Sequence, residues 1–116
     1  MSEVIKIIKI GHCPSLSGKT SLTYHVGRRE EVIYLQLHGN SNGGFFCKEW
    51  VTLERLGVED NKPISSDLLQ AIFKGKSANT GGFLLAALLN EGLVQLIDKH
   101  SYLCCDPSSF IQEMLK

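Results

Sequence analysis

A leucine-rich segment in the second half of the chain decides the fold: residues 79–97 read NTGGFLLAALLNEGLVQLI. Ser77, Asn79 or Thr80 can cap a helix whose apolar side chains continue to Leu89, and Asn90-Glu91-Gly92 is typical of a helix end. Apolar residues lie on almost every side of this helix, which indicates burial in the protein's own core or across an interface. We therefore predict a helix over 79–91, followed by a strand.

The residues before this segment predict two further helices. Ser65 or Ser66 can cap a helix that ends at Gly75, and its apolar side chains form one stripe. That stripe consists of Leu68, Leu69, Ile72 and Phe73. Farther upstream, apolar residues recur at helical spacing up to a stop at Gly57. They are Phe46, Trp50, Leu53 and Leu56.

The residues after the leucine-rich segment predict a hairpin and a last helix. Residues 93–97 and 102–105 are apolar and flank the polar residues 98–101, as the two strands of a hairpin do. Asp106-Pro107 then favours the start of a helix that carries Phe110 and Ile111.

The first 44 residues predict an antiparallel sheet of three strands. Residues 4–10 are rich in β-branched side chains, and residues 22–26 and 33–37 alternate between core and surface types around a connection at 27–30. Residues 11–19 and 39–44 read as loops because glycine and small polar residues dominate them. The fold class is α+β, with a β-rich half (1–44) and a helical half (45–116) in a single domain.

Composition limits the classes of function. The chain has 116 residues, of which 43% are apolar, and its 12 basic residues balance its 12 acidic ones. A net charge of zero gives no global attraction to nucleic acid or membranes, and it favours self-association. No apolar run reaches the roughly 20 residues that span a bilayer, and no secretory pattern opens the sequence. We expect a cytoplasmic protein whose four cysteines are free thiols.

The helix order and hairpin between Lys48 and Cys105 resemble the winged-helix superfamily over about half of the chain. The matching text is residues 65–74 as the middle helix, 79–91 as the recognition helix, and Glu91-Gly92-Leu93-Val94 leading into the wing. The resemblance implies a homodimer that contacts double-stranded DNA. Its major-groove residues would be Lys76, Ser77, Asn79 and Thr80, and its phosphate contacts on the wing would be Lys99 and His100.

Residues 81–89, however, contain no charged or amide side chain, which confines base reading to the first turn of the helix. The alternative is therefore a homo-oligomeric protein-interaction module with no nucleic acid partner. Its interface residues would be Phe83, Leu84, Ala87 and Leu88.

Three features of the sequence bear on catalysis or cofactor binding. Ser17-Gly18-Lys19-Thr20 resembles a P-loop, but Cys13 stands where that motif needs a glycine, and a predicted strand follows instead of a helix. No Cys-x-x-Cys spacing occurs, so no metal or other cofactor is predicted. Whether Cys13 or Cys47 pairs with His12 or His38 as a nucleophile depends on geometry and stays open. The sequence thus predicts an accessory or regulatory protein, not an enzyme.

Overall fold

The first half of the chain forms an antiparallel sheet in the order β1-β2-β3-β4. This is seen in a computed structural model, which describes residues 4–41, 48–73, 79–98 and 101–116. The strands are β1 (Lys6–Pro14), β2 (Ser21–Arg29), β3 (Val32–Asn40) and β4 (Val51–Thr52). The predicted α+β class is confirmed, and the N-terminal sheet has one more short strand than the three predicted.

The strands of this sheet are longer than the sequence indicated. β1 continues to Pro14 because its last residues pair with the start of β2, and a proline is tolerated there since β1 is an edge strand. The predicted loop at 11–19 was therefore too long. β2 and β3 likewise extend to Arg29 and Val32, so the turn is Glu30-Glu31 and the predicted connection at 27–30 was wrong.

The predicted helix around residues 46–56 is also corrected. Only α1 (Leu53–Leu56) is helical, because Val51 pairs with Leu35 as part of β4 and is buried there. Thr52 caps α1 by accepting a hydrogen bond from the Arg55 amide. Phe46, which belonged to that prediction, lies outside the described residues. Gly39 belongs to β3, and residues 42–44 of the predicted loop are likewise not described.

The second half contains the remaining elements. They are β5 (Pro63–Ile64), α2 (Ser66–Ile72), α3 (Thr80–Asn90), β6 (Val94–Leu96), β7 (Tyr102–Cys104) and α4 (Ser108–Met114). The predicted hairpin is confirmed as β6 and β7, and β5 adds a third strand in the order β5-β7-β6. The helix predicted at 79–91 is confirmed as α3.

Local signals explain where the helices begin and end. The Ser65 hydroxyl accepts a hydrogen bond from the Leu68 amide, which makes it the cap that the sequence indicated for α2. Gly57 ends α1 with a φ of 78°, a left-handed conformation that glycine adopts without strain. The Asp106 carboxylate accepts a hydrogen bond from the Ser108 amide at the start of α4.

The central element of the core is α3. It contacts α2 and β6 on one side and β1 and β2 on the other, so both halves of the chain bury apolar side chains against it. α2 and α3 approach closely at Gly81, where an added Cβ would overlap the Ser66 carbonyl oxygen and lie 2.7 Å from the Gln70 nitrogen. Within the described ranges, no helix combines the length and apolar character needed to cross a membrane.

Candidate functional site

The first two strands of the N-terminal sheet cover one side of α3, and this determines which of its residues reach the surface. Leu84, Ala87 and Leu88 are buried in the core of the chain itself. These three were predicted as interface residues, and that prediction is corrected because side chains enclosed by their own chain offer no surface to a second molecule. Phe83, the fourth predicted interface residue, is half-buried at the edge of a hollow.

The predicted nucleic-acid residues are only partly described. Asn79 is exposed and precedes α3 without capping it through its side chain. Thr80 is only 1% exposed, so its side chain is not accessible to a base edge. The amide of Gly81 in the same turn donates to the Gln70 side chain at 2.7 Å. Lys76, Ser77, Lys99 and His100 lie outside the described residues, and their predicted role stays a prediction.

A hollow of about 370 Å³ lies beside the first turn of α3. One wall is the β1–β2 loop, including Leu16 and Lys19, and the opposite wall includes Asn79 and Phe83. Three residues of the Ser17-Gly18-Lys19-Thr20 motif therefore line a surface hollow: Ser17, Lys19 and Thr20. As the sequence predicted, the motif leads into a strand, unlike a P-loop.

A second hollow, of about 460 Å³, continues along the same face of α3. It shares the Ser15 and Leu16 wall with the first hollow, and its floor includes Ala86 and Leu89 from the next turns of the helix. Leu96 and Tyr102 of the hairpin close the far side. We call the two hollows together the α3 groove.

The α3 groove has an apolar rim. Three large apolar side chains that line it are exposed to solvent: Leu16, Leu89 and Leu96. Sequence reasoning did not single out these residues. The sequence does contain two signals of exposed apolar side chains. Leu16 is the one large apolar residue between Pro14 and Lys19, and Leu96-Ile97 places adjacent apolar residues at the end of a strand.

Polar side chains meet under the other end of α3. The buried Tyr24 hydroxyl donates to Glu91 Oε2 and accepts from Asn90 Nδ2 at 2.7 Å, and Lys9 Nζ lies 2.7 Å from Glu91 Oε1. The Glu91 side chain is only 4% exposed. Burial, followed by the hydrogen bond to Glu91, raises the pKa of the Tyr24 phenol. This network fastens the N-terminal sheet to α3.

The geometry does not pair Cys13 with His12 as a nucleophile and base. The two residues are neighbours on β1, whose successive side chains point to opposite faces of the sheet. His12 Nδ1 lies 3.2 Å from the Thr23 hydroxyl on the outer face, whereas Cys13 is buried in the core. Burial and the nearby Glu91 carboxylate raise the pKa of the Cys13 thiol, which disfavours the reactive thiolate. Cys47 is not described.

Aromatic and imidazole rings lie on the outer face of the N-terminal sheet. His25 and His38 stack with their ring centroids 4.3 Å apart, and the Trp50 ring lies 6.4 Å from His25. His25 Nδ1 is also 3.0 Å from the Gln36 side-chain oxygen. In the part of the chain that the structure describes, no three His, Cys, Asp or Glu side chains are arranged to hold a metal ion.

Comparisons with protein-family models, with curated proteins and with solved structures found no match for this chain.

Proposed function

We propose that this protein is a noncatalytic accessory or regulatory protein of the cytoplasm, and that it acts as a homodimer joined through the α3 groove. The observation that carries the proposal is the apolar groove itself. It follows the accessible strip of α3 and is bordered by Leu16, Leu89 and Leu96, whose side chains are exposed. Apolar surface of this kind, gathered in one concave place, is typical of protein contacts.

A second copy of the chain is the occupant that fits this surface best. The surface combines a hollow of about 460 Å³ with exposed leucines at its border, Leu89 and Leu96, that can pack against the hollow of a partner. A twofold interface needs such self-complementarity, because the same patch serves on both copies. The equal numbers of 12 basic and 12 acidic residues also leave no net repulsion between two copies.

Sedimentation velocity over a dilution series tests the proposal. We expect a concentration-dependent dimer for the natural sequence and a monomer for Leu96→Ser, which removes an exposed leucine of the groove. Leu68→Ser is the matched control, since Leu68 on α2 is 57% exposed, close to the 51% of Leu96, but does not line the groove. A monomer at every concentration, or equal weakening by both substitutions, would contradict the proposal.

Contact with double-stranded DNA is the second candidate, and the order of elements favours it. The sequence α1-β5-α2-α3-β6-β7 with the sheet order β5-β7-β6 resembles a winged-helix arrangement, with α3 as recognition helix and the β6–β7 hairpin as wing. An electrophoretic shift of labelled duplex at low salt tests this. Loss of the shift in Lys76→Ala and Lys99→Ala supports the site, whereas a shift that both variants retain rejects it.

A further inference from the structure

Basic side chains converge on a second groove, away from the α3 groove. This basic groove has a volume of about 680 Å³ and lies between β1, the β2–β3 turn and the end of α4. Its lining includes five cationic residues: Lys6, Lys9, Arg28, Arg29 and Lys116. Among the described residues, the carboxylates in its lining are Glu30 and Glu113, and Lys9 is paired with Glu91. A protein whose charges balance overall therefore has a local excess of positive charge here.

Arg28 organises the basic groove. Its Nε donates to the Glu30 carbonyl oxygen at 2.7 Å and its Nη1 to the Leu115 carbonyl oxygen at 3.0 Å. These bonds hold the end of α4 against the β2–β3 turn. Because both acceptors are neutral backbone groups, they fix the guanidinium in place without cancelling its charge.

The ion pair between Lys116 and Glu113 in the basic groove is open to exchange. Lys116 Nζ lies 3.5 Å from a Glu113 oxygen, and both side chains are more than half exposed. Such a surface pair contributes little stability, so a phosphate can replace the carboxylate at small cost. Lys9, in contrast, is held by the buried Glu91, although its own side chain is 44% exposed and lines the groove.

We infer that the basic groove binds the phosphate backbone of a nucleic acid. Lysines carry compact charges on flexible stems, and several of them spread along two walls suit a row of phosphates better than one tightly held anion. Val4, Ile8 and Met114 also line the groove and offer apolar contact area to sugars. This inference does not depend on self-association or on the first turn of α3.

Fluorescence anisotropy tests the inference with two probes, a labelled single-stranded oligodeoxynucleotide and the corresponding duplex. Lys6→Glu and Lys116→Glu reverse one charge on each wall, and Lys62→Glu is the matched control on a surface outside the groove. We expect each groove variant to bind about tenfold more weakly at low salt and to lower the salt dependence by about one phosphate contact. The control should bind like the natural sequence.

The inference is supported if either probe binds and if binding is weakened by Lys6→Glu and Lys116→Glu but not by Lys62→Glu. The probe that binds more tightly shows whether the groove prefers single-stranded or duplex nucleic acid. Each of four results overturns it: no binding of either probe at low salt, equal loss in Lys62→Glu, binding only to vesicles that contain anionic lipid, or loss of binding only in the Lys76 and Lys99 variants. If Leu96→Ser gives a monomer that still binds the probe, the groove acts separately from the proposed dimer. If Lys76→Ala or Lys99→Ala abolishes binding of the probe while Lys6→Glu and Lys116→Glu leave it unchanged, the contact belongs to α3 and the wing instead.

Discussion

The Tyr24 hydroxyl donates a hydrogen bond to the Glu91 carboxylate, joining residues that are 67 positions apart in the chain. Tyr24 lies in the middle strand pair of the N-terminal sheet, and Glu91 directly follows α3. Lys9 and Asn90 complete the network from β1 and the last turn of the helix. A buried carboxylate is stable only while such partners remain, so the network makes one unit of the two halves.

Tyr24→Phe should lower the free energy of unfolding by about 1–3 kcal/mol, because the buried Glu91 carboxylate loses a hydrogen-bond donor and Asn90 loses an acceptor. Urea denaturation measures the loss. Tyr34→Phe is the control, since the Tyr34 hydroxyl has no hydrogen-bond partner among the described residues and its ring packs against Trp50. Equal stability of the two variants would show that the network contributes nothing.

Stability should also fall at alkaline pH through Tyr24. Its phenol has a raised pKa in the folded protein, while in the unfolded chain it ionises near the ordinary value of about 10. Above that pH the unfolded chain has released the Tyr24 proton while the folded protein still holds it, so rising pH favours unfolding. The stabilisation from Tyr24 is therefore complete below pH of about 10 and is lost as the pH rises further. Tyr24→Phe lacks this group. The stability difference between the two proteins, measured by urea denaturation, should therefore shrink above pH of about 10.

Two adjacent glycines of α3 should respond to alanine in opposite directions. At Gly81 a Cβ would overlap the Ser66 carbonyl oxygen, and because backbone cannot move aside easily, Gly81→Ala should cost about 1–3 kcal/mol. At Gly82 nothing lies within 4 Å of the added Cβ. Gly82→Ala should therefore stabilise the protein by about 0.5 kcal/mol through helix propensity. Thermal unfolding of both variants checks this, and losses of similar size would argue against the close approach of α2 and α3.

The described cysteines should differ in reactivity. Cys13 and Cys104 are buried free thiols whose pKa values are raised, mainly by burial, whereas Cys105 is half-buried. Alkylation of the native protein near neutral pH, mapped by mass spectrometry, should modify Cys105 well before the other two. All three should react at similar rates in denaturant. Rapid modification of Cys13 in the native state would mean that the junction between β1 and α3 opens readily.

Much of the fold could be predicted because its signals are local. The alternation of residues 22–26 and 33–37 identified β2 and β3, Ser65 marked the start of α2, and Gly57 the end of α1. The spacing of Trp50, Leu53 and Leu56 misled because it is equally compatible with a short strand followed by one helical turn. Val51 pairs with Leu35, and this pairing favours the strand over a continuous helix. The sequence around Val51 carries no signal of it, because its partner is distant in the chain.

The candidate surfaces were harder to predict. The leucines of α3 were correctly expected to be buried on most sides, yet periodicity could not tell whether the chain's own sheet or a partner covers them. The chain's own elements supply that cover, α2 most extensively and β1, β2 and β6 beside it, which leaves Phe83 and Leu89 at the groove. Lys6 and Lys116 are 110 positions apart, and only the packing of α4 against the N-terminal sheet places them on one groove.

The sequence by itself determined the α+β class, the antiparallel pairing of the N-terminal strands and the helix that ends before Glu91, because alternation, caps and turns act over a few residues. Tertiary structure alone decided which face of that helix stays open, where Glu91 finds Tyr24 and Lys9, and which charges share a groove. The reason is physical. Burial and electrostatic contacts depend on distances in space, and the chain brings remote residues together only when the whole core has packed.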